Sequence, residues 1–269
     1  MAVFTCAEMV DACLAGDEAG WKHFITDYLP FAGVLLDRHY AQLITRRDAL
    51  LREVLLRARD QDLQFFREYR GHSEREFLLH LREHVLRVLE EAEPAVRAPE
   101  VPLSWEAFEQ AFQKLTALER QVVWLHLLNP RAEDAALMLR ADQPSVDAIL
   151  ARTQEQLRAS VDHWWAGLLE QNRHLLIQHA RERATKDCLE PTTFLRLLDG
   201  QNPWRARYET ENHLVACWYC VDLLSRFREV ARLARLTQPL GDAEAEPYAQ
   251  ALGLGFAPPS RWKRLLGRG

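Results

Sequence analysis

Glycine and proline are scarce in this chain, at 11 and 12 of its 269 residues, and no segment of useful length alternates apolar and polar residues as a half-buried strand would. Leu, Ala, Arg and Glu dominate instead, which makes helix the expectation throughout. No apolar run approaches the roughly 20 residues a membrane span needs, so no membrane partner is expected. The opening residues, Met1 to Cys6, lack a basic stretch ahead of an apolar one. A signal peptide is therefore not expected, and the cytoplasm is the expected compartment. Also missing are a glycine-rich phosphate loop, a nucleophile elbow and a metal motif with an open position, so no enzyme activity is expected. Positive charge is short as well, with 34 Lys and Arg against 39 Asp and Glu and a net charge of -5. That balance weighs against nucleic acid as a partner, because phosphate neutralisation supplies most non-specific affinity.

What is present reads as a set of amphipathic helices. Met9, Val10, Cys13 and Leu14 make one apolar face, which Gly16-Asp17 ends. Trp21, Phe24, Ile25, Tyr28 and Leu29 form a second, with Pro30 sitting in or ending that helix. Further stripes run through Leu50, Leu51, Val54 and Leu55, and through Phe77, Leu78, Leu81, Val85 and Leu89. Ser73 and Glu76 are spaced as a capping box ahead of the last of these. A Pro-, Ala- and Glu-rich linker at 93–103 separates a first helical domain, 1–92, from a second at 104–162. Within the second, a short helix Arg131–Arg140, a tight turn and a longer helix Ser145–Arg158 outline a helix-turn-helix, with Val146, Ile149, Leu150 and Leu157 facing inward. A connecting helix spans 163–185, a Cys-rich domain 186–236, and a tail 237–269 whose basic end, Ser260 to Arg268, is read as a solvated terminus.

Five cysteines is an odd number, and three of them fall within 33 residues. In a reducing cytosol that clustering points to metal ligation more than to disulfides. His213, Cys217 and Cys220 form H-x3-C-x2-C, a spacing that puts all three on one face of a helix. Thr210 or Asn212 is the candidate cap of that helix. A closed tetrahedral zinc site needs a fourth ligand, and Cys188, ahead of an expected helix Pro191–Leu198, can supply it. His174 and His179 are substitutes, though an exposed place on the connecting helix suits them better. Two other readings stay open: small buried residues on an amphipathic helix, and a catalytic redox pair.

Two family resemblances follow from these motifs. Gly16-Asp17-Glu18-Ala19-Gly20-Trp21 with Tyr28-Leu29-Pro30 resembles the opening of region 2 in extracytoplasmic-function sigma factors of the sigma-70 family. Arg47 to Leu55 resembles that family's polymerase-clamp helix, and Phe77 to His84 its reader of the promoter −10 element. Leu115 to Val123 resembles the start of region 4, with Ser145-Val146 opening the recognition helix. Cys188 through Cys220 is similar to the zinc-binding anti-sigma fold. The resemblance implies an all-α protein with a region 2-like bundle, a region 4-like helix-turn-helix domain and a small zinc-binding domain. It implies core RNA polymerase and promoter DNA as partners. Asp48, Leu51, Arg52 and Glu53 would contact polymerase, and Arg140, Ser145, Arg152 and Arg158 would contact DNA.

The sequence departs from the family at telling places. Ala49 and Arg52 stand where the clamp helix carries an acid and a Gln, and His84 where the −10 segment carries Asn. Asp147 and Ile149 replace basic residues of the recognition helix, and Arg140 replaces a Gly at a turn position that favours positive φ. Thr116–Asp162 holds five arginines against seven carboxylates, the wrong sign for a phosphate-reading surface. The expected function is thus a sigma-like transcription regulator with a fused zinc domain. The alternative is a degenerate adaptor or decoy that binds a protein regulator without reading DNA.

Overall fold

The computed structural model describes residues 4–92, 105–128, 132–160 and 173–255. All regular structure among them is helical, in agreement with the all-α expectation. The chain divides into two compact units, residues 1–92 with 236–269, and residues 93–235.

The first unit starts with α1 (Cys6–Leu14), capped by Thr5. The Thr5 N–H donates to Glu8 at 2.7 Å while the Glu8 N–H donates back to the Thr5 hydroxyl at 3.3 Å, a reciprocal capping box. Gly16 ends α1 at φ +75°, and α2 (Glu18–His23) starts from the Asp17 cap. The chain then widens into a π-helical turn, Phe24–Tyr28, before α3 (Leu29–His39). Pro30 explains the change of register: without an N–H it cannot bond Thr26 O, its α-helical acceptor. A 3-10 turn, Ala41–Arg46, leads to α4 (Arg47–Glu68), and α5 (Glu74–Ala92) returns along it.

The apolar stripes read from the sequence meet in an aromatic core. Trp21 and Phe24 meet Phe66 edge-on at 5.2 and 5.3 Å, and Tyr28 meets Phe77 at 5.0 Å. Phe77, Leu78, Leu81, Val85 and Leu89 are all buried. The Ser73–Glu76 box also forms, with the Glu76 N–H donating to Ser73 Oγ at 3.3 Å.

His84, at the end of the segment that resembles a −10 reader, points into this core. It is 7 % exposed and its Nε2–H donates to the Val54 carbonyl at 3.0 Å. Burial pushes its pKa down to about 4, and Arg87, His80 and Arg57 push the same way. A histidine whose folded pKa lies below its unfolded value stabilises the fold fully above about pH 6.5, and that stability drains as pH falls towards 4. About 3 kcal/mol should be lost over this window. Urea unfolding near pH 7 and near pH 4.5, with His84→Gln as the non-titrating control, measures it; equal pH dependence in both proteins would contradict the assignment.

The second unit holds α6 (Trp105–Gln113), α7 (Ala117–Leu128), α8 (Ala132–Leu139), α9 (Gln143–Ser160), α10 (Arg173–Glu182), α11 (Pro191–Leu198), α12 (Trp204–Ala216) and α13 (Trp218–Ala234). Helices α8 and α9, joined by a short turn, lie where the sequence reading placed a short helix, a tight turn and a longer helix. Val122, Leu125, Ala135, Ala136, Met138 and Val146 make its core, and Ile149 and Leu150 pack against it. The side chain of Leu157 lies outside the described residues, as do the linker 93–103 and the connecting stretch 161–172 with its two tryptophans.

Two boundaries differ from the sequence reading. The Cys-rich segment and the helix-turn-helix share one unit, because α13 packs on α7, α8 and α10. The segment after Arg235 belongs to the first unit, where α14 (Asp242–Ala251) packs on α4 and the π-turn. Separate domains were expected because motif spacing sees neither long-range contact. The basic end, Ser260 to Arg268, lies outside the described residues.

Candidate metal centre

Cys188, Cys217 and Cys220 come together: their sulfurs all lie within 4.8 Å of one another. Such a group can hold a metal ion. His213 lies beside this group and outside it: its Nε2 is 3.2 Å from Cys220 Sγ, but it is not within 4.8 Å of all three sulfurs. Cys6 and Cys13 stay apart in α1, where burial pushes the Cys6 thiol up to about 11.

The local route differs from a single helix carrying the whole H-x3-C-x2-C motif. Cys217 adopts φ -110° and ψ 109°, an extended conformation that ends α12 and starts α13. His213 therefore sits in the last turn of α12, and Cys220 in the first turn of α13. Their link is the Cys217 N–H donating to His213 O at 2.9 Å. Neither Thr210 nor Asn212 caps the second helix, since both lie within α12, where the Thr210 hydroxyl donates to Ala206 O at 2.7 Å. The break has a chemical consequence. Cys217 occupies the cap position of α13, where free N–H groups and the helix dipole favour a thiolate.

Backbone amides supply further donors. The Thr185 N–H donates to Cys188 Sγ at 3.2 Å, from a tight turn closed by the Cys188 N–H on Thr185 O at 3.1 Å. The Cys188 sulfur thus accepts a peptide N–H, the outer support that thiolate ligands receive in metal sites. Hydrogen bonding from the Cys220 thiol, with help from Cys188 and His213, lowers the Cys217 pKa. Sharing that proton, and burial, raise Cys220.

One sulfur pair has the spacing of a tetrahedral ion. Zinc–sulfur bonds near 2.3 Å place two sulfurs about 3.8 Å apart. Cys188 and Cys217 are 3.7 Å apart. Of the substitute ligands, His179 is exposed on α10 and outside the cluster, and the His174 side chain lies outside the described residues.

Trp218, between the two cysteines of the motif, ties the site to the unit's core. It is 4 % exposed and meets Phe112 at 4.3 Å, Phe108 at 5.3 Å and Trp124 at 5.7 Å. One turn later, the fully buried Asp222 accepts from Trp124 Nε1 at 3.0 Å and pairs with Arg226 at 2.8 Å. Sequence reasoning passed over both residues. A tryptophan inside C-x2-C was the available signal for the first, whereas Asp222 gave none.

Of the residues assigned to DNA, Arg140, Ser145 and Arg152 have described side chains, and each has a partner within the chain. Arg140 has φ +56°, the conformation for which the family uses Gly, and closes α8 with its N–H on Leu137 O at 3.3 Å. Its guanidinium donates to Leu198 O at 3.4 Å. Arg152 is held by Glu119 through two nitrogens, at 2.6 and 3.1 Å. The Ser145 N–H is taken by Asp142 at 2.9 Å, and the Arg158 side chain lies outside the described residues. Along the exposed face of α9, Asp147 and Glu155 accompany Arg152.

The residues assigned to polymerase are split in the same way. Leu51 is buried at 2 % exposure, and Glu53 is half-buried and paired with Arg57 at 2.8 Å. Asp48 accepts from the Tyr248 hydroxyl at 3.0 Å, and Arg52 is exposed.

Compared with protein-family models, curated proteins and solved structures, the chain gives no match. No described helix is long and apolar enough to cross a membrane.

Proposed function

We propose that this chain is a zinc-stapled transcription regulator on a sigma-like helical body, and that it acts through protein contacts rather than by reading promoter DNA. Zinc at Cys188, His213, Cys217 and Cys220 would be structural: four protein ligands close a tetrahedron and leave no open position for a substrate. Its role would be to fix the α12–α13 corner and so to seat Trp218 in the core. The first unit would carry the contact with core RNA polymerase through α4, or with a protein regulator of it.

The observation that carries the preference for protein partners is the face of α9. A recognition helix needs side chains free to reach base edges and a field that attracts phosphate. Here the one described arginine on that face is held by Glu119, and its exposed neighbours include two carboxylates. The rival reading, a working sigma factor, is supported by the order of α8 and α9 and by Arg140 at positive φ in the turn between them.

Binding assays separate the two. With core polymerase immobilised, the purified chain is expected to bind at micromolar concentration or better. With promoter-containing duplex in low salt, it is expected to show no sequence preference and no steep salt dependence, with or without polymerase. Promoter-specific, salt-sensitive binding in the presence of polymerase would overturn the preference and restore the sigma-factor reading.

A further inference from the structure

The chain that leaves α13 at Arg235 belongs to the first unit and packs on one side of α4, against Leu51 and beside the exposed Asp48 and Arg52. Three hydrogen bonds hold this strap. The Leu240 N–H donates to Thr26 O at 2.9 Å, an acceptor that Pro30 cannot serve. Farther on, the Tyr248 hydroxyl donates to Asp48, and Arg59 donates to Leu252 O. Ala245 and Ala249 are fully buried, so α14 lies close along its neighbours with side chains that permit close approach.

The docking is incomplete. A cleft of about 200 Å³, open to solvent, remains between the strap and the helices below it, bordered by Leu29, Leu51 and Leu240 and by the polar Arg47, Gln238 and Tyr248. Nor is α14 stable by itself. It has 10 residues with Pro247 inside it, and free helices this short are marginal in water even without proline. Its helicity therefore depends on contact with α4, which leaves two states: docked and helical, or released and unfolded.

From these observations we infer that residues 236–255 form a displaceable internal lid on the α4 face, competing with a protein partner for it. This rests on the reading above, in which α4 carries the partner contact. The partner segment would be helical, with small apolar residues towards α4 and a hydroxyl towards Asp48, the chemistry that α14 itself presents. Binding would require the lid to leave, so apparent affinity would be reduced by the fraction of molecules already open.

The test uses the full chain and three variants, with immobilised core RNA polymerase as the probe. Ala249→Glu and Ala245→Glu each force a carboxylate into the α14 interface. Tyr248→Phe removes only the hydroxyl on Asp48. The glutamate variants are expected to bind at least about 10-fold more tightly than the parent, and Tyr248→Phe a few-fold more tightly. Amide exchange should accelerate across 242–252 in the same order. A gain in affinity is a readout that a misfolded chain cannot give. Unchanged or weakened binding by variants whose α14 exchanges rapidly would overturn the lid while leaving the α4 interface in place. No binding by parent or variants would remove the interface reading itself, and the lid with it.

Discussion

Cys217→Ser is expected to lower bound zinc from about one per chain to less than about a tenth, because serine is a far poorer zinc ligand than thiolate. The effect should reach well beyond the metal. Cys217 is both a proposed ligand and the residue whose extended backbone divides α12 from α13. Trp218 follows it directly and fills the space between Phe108, Phe112 and Trp124. Losing the ion therefore loosens the corner that seats a large buried side chain. Metal binding to a site that is unformed in the unfolded chain counts as folding free energy. The second unit has its own core as well, so only part of that energy should be lost, about 4 kcal/mol, or roughly 10 °C in its melting midpoint. Calorimetry with metal analysis checks this, with Cys6→Ser as a control that should leave both quantities unchanged. A Cys217→Ser protein that retains stoichiometric zinc would exclude Cys217 as a ligand.

The second large effect is expected at Asp222, which no motif singled out. Its carboxylate is fully buried and serves Arg226 at 2.8 Å, Trp124 Nε1 at 3.0 Å and Arg181 at 3.5 Å. Asp222→Ala removes the anion while the Arg226 guanidinium stays buried, and breaking a buried pair from one side costs about 3–5 kcal/mol. The pair itself contributes far less than that figure, since both charges had to leave water to form it. Replacing both partners together, as Asp222→Leu with Arg226→Met, should therefore recover most of the loss. Denaturant unfolding of the two single variants and the double variant measures the coupling. Zinc content should stay near one per chain in all three, which distinguishes this network from the metal site. A double variant no more stable than Asp222→Ala would contradict the account.

Much of this fold was legible because its helices are locally determined. The stripe through Trp21, Phe24, Ile25, Tyr28 and Leu29 is buried as its spacing required, and the boundaries of Pro191–Leu198 were readable from proline and from the change of pattern after Leu198. The cysteines of the candidate site were legible because soft metals accept few ligand types and the ligand spacing is short. What escaped was long-range. The break at Cys217 reverses a helical periodicity that local propensity alone would continue. The burial of α13 against α7 and α8 joins residues about a hundred positions apart in sequence, as the Trp124–Asp222 bond illustrates. The strap's anchor on Thr26 was hidden for a similar reason. Pro30 announces a disturbed helix but does not say which distant N–H will answer it. Arg140 is the opposite case: a departure from Gly seen in the sequence marked a backbone position that does adopt positive φ.

The central claim is a closed site of three sulfurs and one imidazole nitrogen that holds the second unit together. Loading the chain with Co2+ in place of zinc and recording its X-ray absorption spectrum tests this most directly. The expected result is one ion per chain, tetrahedral, with three sulfur and one nitrogen scatterers, and loss of one sulfur in Cys188→Ser. An ion surrounded by oxygen and water, or no stoichiometric binding by the reduced protein, would contradict it.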